Sequence, residues 1–252
     1  MLSLLAPRGR PYIVGHRGAM GKAPENTLAS FTKALELGVD AIELDVHLSQ
    51  DGEVVVIHDE HLERTTNGHG LVRDHSLASL NSFDAGAYFG TEFRGERIPT
   101  LMEVIDLLGE RVPVVVEIKN LPMPYAAIEA RVIDVARNAN ALDRIQIISF
   151  DHPTIARVRR VCSEVATGVL YVGRMVDAVA LARPIDANAL CPHWSSVQAM
   201  DVRLAHQAGL SVHTWATSDP GTVRQLAALD VDSITTNDPD VVGEALGRSA
   251  PM

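Results

Sequence analysis

The chain has 252 residues, 46% of them hydrophobic and 21% charged, which excludes disorder and fibre and allows a large unstapled core. Thirty-two acidic residues against 22 Lys and Arg leave a formal charge of −10. With no basic stripe, that field repels polyanions and argues against a nucleic-acid partner; an anionic substrate would need a local Arg, Lys or bound cation.

Cys162 and Cys191 lack metal-ligand spacing and read as buried thiols. The apolar run in Met1–Pro7 is too short for a signal peptide, and no later stretch resembles a membrane span. The expectation is a cytoplasmic protein without a stable membrane anchor.

In chain order, short Val/Ile-rich runs predict strands at Tyr12–Gly15, Ala41–Val46, Val114–Ile118, Ile145–Phe150, Gly168–Tyr171, Ala189–Pro192, Ser211–Trp215 and Ser233–Thr236. They alternate little, as strands covered on both faces do. A helix is predicted after each: Thr27–Leu37, Thr100–Leu108, Ala126–Asn138, Pro153–Val161, Val176–Ala182, Val197–Gln207, Pro220–Leu229 and Pro239–Leu246. Eight such repeats predict one (β/α)8 TIM barrel over residues 1–252.

Val54–His58 is an extra strand, too close to its predecessor for a parallel crossover. Asp51-Gly52 is a hairpin signal, so Ala41–His58 should fold back and place His58 roughly opposite Asp45. Residues 59–97 are polar, Gly-rich and too long for a barrel loop, and read as an insertion that lids the site.

Barrel enzymes act at the C-terminal ends of their strands. His16 and Arg17 fall there after the first strand, Glu43 and Asp45 on the second, Glu117 and Lys119 on the third. Residues two apart on a strand share a face, so Glu43 and Asp45 aim at one spot, a costly pairing unless a cation neutralises it. With Glu117 they make an oxygen-only set suited to Mg²⁺ or Ca²⁺. Arg17 offers a planar fork to phosphate, and Lys119 either binds phosphate or pairs with Glu117. His16 and His58 are the histidines that coincide with the acids and are the candidate acid–base pair. The other eight, His193 the least settled, read as structural. Trp215 ends a strand and could pack on the carbon skeleton of a small ligand.

These residues resemble the motifs of the glycerophosphodiester phosphodiesterase family of phospholipase C-like barrels. The likeness covers Gly15-His16-Arg17-Gly18 with Pro24-Glu25-Asn26-Thr27, Ile42-Glu43-Leu44-Asp45-Val46, and Val56-Ile57-His58-Asp59. It continues through Leu62-Glu63-Arg64-Thr65-Thr66-Asn67-Gly68, Glu117-Ile118-Lys119, Ser149-Phe150 and Asn237-Asp238-Pro239. The resemblance implies a TIM barrel that hydrolyses glycerophosphodiesters to sn-glycerol 3-phosphate and an alcohol. It implies His16 and His58 as acid and base; Glu43, Asp45 and Glu117 on one divalent cation; and Arg17 and Lys119 on the phosphate. Where the family tends to carry Trp-Thr-Val-Asn, this chain has Trp215-Ala216-Thr217-Ser218. A homodimer is left open. The rival readings are a phospholipase D-like lyase or hydrolase on lysophospholipids, a barrel lyase using Lys119 as a Schiff base, and a non-catalytic scaffold.

Overall fold

The computed structural model describes residues 9–248, so Met1–Pro7 lies outside the described residues. In chain order the elements are β1 (Tyr12–Gly15), α1 (Leu28–Glu36), β2 (Ala41–Leu48), β3 (Val54–Val56), α2 (Leu77–Leu80), α3 (Leu101–Leu108), β4 (Val114–Ile118), α4 (Ile128–Asn138) and β5 (Ile145–Ser149). They continue with α5 (His152–Val161), β6 (Ala166–Tyr171), α6 (Val179–Ala182), β7 (Ala189–Pro192), α7 (Ala199–Gln207), β8 (Ser211–Thr214), α8 (Pro220–Ala228), β9 (Ser233–Thr236) and α9 (Pro239–Ala245). All strands except β3 pair in parallel, and β9 returns to β1, closing the (β/α)8 TIM barrel expected from the alternation.

Local signals set the element boundaries. Thr27 caps α1 through the Ser30 amide, and Thr100 and Glu103 form a reciprocal capping box at the start of α3. Helix α6 is shorter than the expected Val176–Ala182, because Asp177 Oδ1 accepts from the Ala180 amide and leaves Val176 in solvent. Trp194–Ser196 form a separate tight turn, so α7 begins at Ala199, not Val197.

The strand backs and helix faces share the main core, around Phe31, Ile42, Leu44, Val116, Ile147 and Ile234. The barrel interior is a second, smaller cluster that includes Val14, Val115, Ile148, Leu170 and Cys191. Gln146, His213 and Ser233 are also buried there, with no hydrogen-bond partner on the Gln146 amide, His213 Nε2 or Ser233 Oγ.

Strand β3 pairs antiparallel to β2 with Val46 opposite Val56, and the Ile57 amide donates to the Asp45 carbonyl. The turn sits where Asp51-Gly52 placed it: Gly52 has φ +85° and its amide donates to Ser49 O. Beyond β3 the chain packs a small apolar cluster of its own, around Val55, Ile57, Leu62, Val72, Leu80 and Ile98. No helix of the described residues is long and apolar enough to cross a membrane.

Candidate active site

The turn after β1 is built around backbone that few residues tolerate. Arg17 has φ +48° and Gly18 φ +86°. A Cβ on Gly18 would lie 2.4 Å from Ser30 Oγ and 2.7 Å from its backbone carbon, so only glycine fits. The left-handed Arg17 turns its amide onto Glu43 Oε2 at 2.9 Å. Its guanidinium reaches Glu25 Oε1 at 2.7 Å and lies 3.3 Å from Asp45 Oδ2.

Barrel register does the rest. Asp45 on β2 is the direct partner of Glu117 on β4, and Glu43 lies one pleat below Asp45. Glu43, Asp45 and Glu117 are all buried and offer oxygens within 4.8 Å of one another, a set able to hold a cation. Lys119 Nζ sits 3.0 Å from Asp45 Oδ1 and 2.7 Å from Glu117 Oε1, so it pairs with the acids while remaining at the site. Asn26 Nδ2 completes Asp45 at 2.8 Å.

The three acids differ electrostatically. Burial and the charges of Asp45 and Glu117 push the Glu43 carboxyl well above its usual range. Burial raises Glu117 to about 7 although Lys119 opposes it. At Asp45 burial also acts upward, but Lys119 and Arg17 outweigh it and hold the carboxyl well below the usual range. Burial would deprotonate Lys119, yet Asp45 and Glu117 prevail and keep it charged. A lysine so held is a poor Schiff-base nucleophile.

The two histidines come from the turn after β1 and the segment after β3, strands that both pair with β2. His16 Nε2 is 4.0 Å from Glu43 Oε2, while its Nδ1 lies 2.6 Å from Asn237 Oδ1. His58 Nδ1 lies 2.6 Å from Asp59 Oδ1. Carbonyl and carboxylate oxygens only accept, so each Nδ1 carries the proton and each Nε2 keeps its lone pair, that of His16 on the side of Glu43. Burial lowers His16 to about 4, with Arg17 adding to it, and burial also lowers His58. Both imidazoles are therefore in their basic form at neutral pH.

A cavity of about 430 Å³ opens beside His58, Glu117 and Lys119 and is walled by Ser149, Phe150 and Asp151. Trp215 stands at the barrel mouth against the Phe150 ring, 5.3 Å between centroids, with its indole N–H donating to the Cys191 carbonyl. The Ser218 and Thr236 hydroxyls share a hydrogen bond at 2.9 Å.

The structure thus gathers His16, Arg17, Glu43, Asp45, His58, Glu117 and Lys119 at one strand-end site, with Trp215 on its rim. Reading the sequence assigned no roles to Asn237, Asp59, Glu25, Asn26 or Arg64. Asn237 had an available signal, since it follows the last strand, which a closed barrel sets beside the first. His47 proves to be a brace: its Nε2 lies 3.0 Å from the His58 carbonyl oxygen and its Nδ1 2.9 Å from the Tyr125 hydroxyl.

The comparisons with known proteins agree with this geometry. The model of the glycerophosphoryl diester phosphodiesterase family matches residues 16–241. A glycerophosphodiester phosphodiesterase of Caldanaerobacter subterraneus subsp. tengcongensis is 37% identical, over 91% of this chain and 95% of its own. The solved structure of an Oleispira antarctica phosphodiesterase, in complex with the product sn-glycerol-3-phosphate, superposes with a TM-score of 0.88 at 30% identity, covering 94% of this chain and 97% of that one. The glycerophosphodiester phosphodiesterase of Agrobacterium tumefaciens gives 0.82 at 30%, covering 93% and 99%. With its site motifs, its barrel and most of its length matched, the chain belongs to the glycerophosphoryl diester phosphodiesterase family.

Proposed function

We propose that this phosphoric diester hydrolase cleaves glycerophosphodiesters, such as glycerophosphocholine or glycerophosphoethanolamine, to sn-glycerol 3-phosphate and an alcohol. The observation that carries the reading is the buried set Glu43, Asp45 and Glu117, flanked by two cationic side chains and two imidazoles with free Nε2.

The donor set fits one hard divalent cation, Mg²⁺ or Ca²⁺. It is all oxygen, and the Glu43 carboxyl, crowded by like charges, lacks an ionic partner strong enough to keep it ionised. Glu43, Asp45 and Glu117 would hold the ion, which when bound withdraws charge from a phosphoryl oxygen. Arg17 and Lys119 bind the remaining phosphate charge as it grows toward the pentavalent state, Arg17 as a fork and Lys119 as a point charge. One imidazole Nε2 takes the proton of the nucleophile and the other imidazole, once protonated, delivers a proton to the leaving alkoxide. The nucleophile is water or the neighbouring glycerol hydroxyl by way of a cyclic phosphate. The Phe150–Trp215 rim offers an apolar face to the carbon skeleton of the substrate. Among the described residues no basic amphipathic helix lies at the mouth, which favours a free headgroup diester over a membrane lipid.

The test is a panel of glycerophospho-alcohols assayed for glycerol 3-phosphate release with Mg²⁺ or Ca²⁺. Turnover is expected to vanish in EDTA and return with metal, whereas His16→Ala and His58→Ala stay inactive at any metal concentration. No turnover of any member would refute the substrate class, and full activity in His58→Ala would refute the acid–base pair.

A further inference from the structure

We infer that Arg64, on the insertion after β3, is a positioning residue that locks the phosphate-binding arginine and one imidazole of the site into a single rigid frame; this rests on the function proposed above. Its guanidinium makes two forks at once. Nη1 and Nη2 donate to Glu25 Oε2 and Oε1, each at 2.8 Å. Nε and Nη2 donate to Asp59 Oδ2 and Oδ1 at 2.5 and 3.0 Å.

Each carboxylate passes the constraint on through its other bond. Glu25 Oε1 also accepts from Arg17 Nη1 at 2.7 Å. Asp59 Oδ1 lies 2.6 Å from His58 Nδ1 and fixes which nitrogen carries the proton. The path Arg17–Glu25–Arg64–Asp59–His58 therefore joins two groups that arrive on separate segments, the turn after β1 and the segment after β3, which flank the same strand β2.

A bland alternative is a surface ion pair, since the Arg64 side chain is 45% exposed and such pairs contribute little stability. The partners argue otherwise. Glu25 is buried, at 5% side-chain exposure, and holds two arginines with one carboxylate. Burial acts to raise its carboxyl, and Arg64 and Arg17 together hold it below its usual range. The insertion adds a further tie at the same residue, where the Glu25 amide donates to the Tyr88 hydroxyl at 3.1 Å. Only a planar fork can serve both carboxylates, because an ammonium lacks the paired N–H geometry.

The test compares Arg64→Gln, Arg64→Lys, Glu25→Gln, Asp59→Asn and the Glu25→Gln/Asp59→Asn double variant, with and without Arg64→Gln. The metal-loaded enzyme is assayed on glycerophosphocholine, and ¹⁵N-histidine NMR is recorded in parallel. Misplacing reacting groups by about 1 Å costs on the order of 100-fold in kcat/KM. That loss is expected for Arg64→Gln, spread over both KM and kcat, with partial recovery on adding guanidinium ion and little recovery in Arg64→Lys. In the double variant, Arg64→Gln should cost less than about twofold more, because its route to the site is already cut. The His58 ring should show a single Nδ1–H tautomer in the native protein and a mixture in Arg64→Gln, with His193 unchanged.

Native kcat and KM in Arg64→Gln, with only a lower melting temperature, would overturn the inference. So would fully additive losses, or an unaltered His58 tautomer. If the native enzyme turns over no glycerophosphodiester, the proposed function fails, and the tautomer measurement still decides the role of Arg64.

Discussion

Two carboxylates of the proposed cation site should behave alike in catalysis and oppositely in stability. Asp45 is 1% exposed and meets Lys119 Nζ at 3.0 Å, Arg17 Nε at 3.3 Å and Asn26 Nδ2 at 2.8 Å. Asp45→Asn keeps the shape but leaves the two cations short of a counter-charge. Breaking a buried pair from one side costs about 3–5 kcal/mol. For a chain of this length each kcal/mol moves the melting temperature by about 2 °C, so a fall of about 6–10 °C is expected in EDTA. Glu43 is crowded instead by Asp45 and Glu117, and its acceptor role toward the Arg17 amide survives in an amide. Glu43→Gln replaces a carboxyl whose charged form burial, Asp45 and Glu117 disfavour, so in EDTA its melting temperature should equal or exceed that of the native chain. Metal at 100 times its dissociation constant should stabilise the native protein by about 2.7 kcal/mol, or about 5 °C. Neither variant should show that gain, and neither should turn over substrate. The assay is calorimetry or circular dichroism melting with EDTA and with Mg²⁺ or Ca²⁺. Equal destabilisation of both variants in EDTA would refute the division of charge within the triad.

Gly18→Ala should destabilise by about 2–5 kcal/mol, combining a left-handed backbone penalty with overpacking against Ser30, whose Oγ would lie 2.4 Å from the new Cβ; urea unfolding within 1 kcal/mol of the native chain (roughly the scale of an ordinary surface substitution) would refute it. His213 is buried in the barrel with its pKa lowered to about 4 by burial, Asp232 opposing only in part. Above its unfolded value near 6.5 it is neutral in both states and costs nothing. As pH falls from there to about 4, the unfolded chain binds a proton that the folded chain refuses. Stability should therefore drop by about 3 kcal/mol across that window. His213→Gln should flatten the drop by that amount, and parallel pH–stability curves for the two proteins would contradict the assignment.

The parts of the site that could be read from the sequence are those that depend only on local geometry plus one topological rule. Glu43 and Asp45 share a face because strands repeat every two residues, and Glu117 joins them once parallel strands are set side by side. The turn signal and a count back along the hairpin bring His58 to within one position of Asp45, although the observed register sets Ile57 opposite Asp45. Helix α6 starts later than the pattern predicts, because Val176 is apolar and fits the helical period whereas the Asp177 side chain accepts from the Ala180 amide and leaves Val176 exposed.

The supporting residues escaped for a different reason. Glu25, Asp59 and Arg64 are ordinary surface types in sequence, and their meaning depends on which carboxylate oxygen meets which guanidinium nitrogen, which no periodicity encodes. Asn237 is intermediate. It is 221 positions from His16, yet β9 pairs directly with β1, and the last strand end must deliver something to the first. Barrel closure thus makes the polar residues at the two ends of the chain neighbours. A polar residue after the final strand is best judged against the groups after the first, and by that rule Asn237 belongs to His16, where it fixes the tautomer that leaves Nε2 facing the acids.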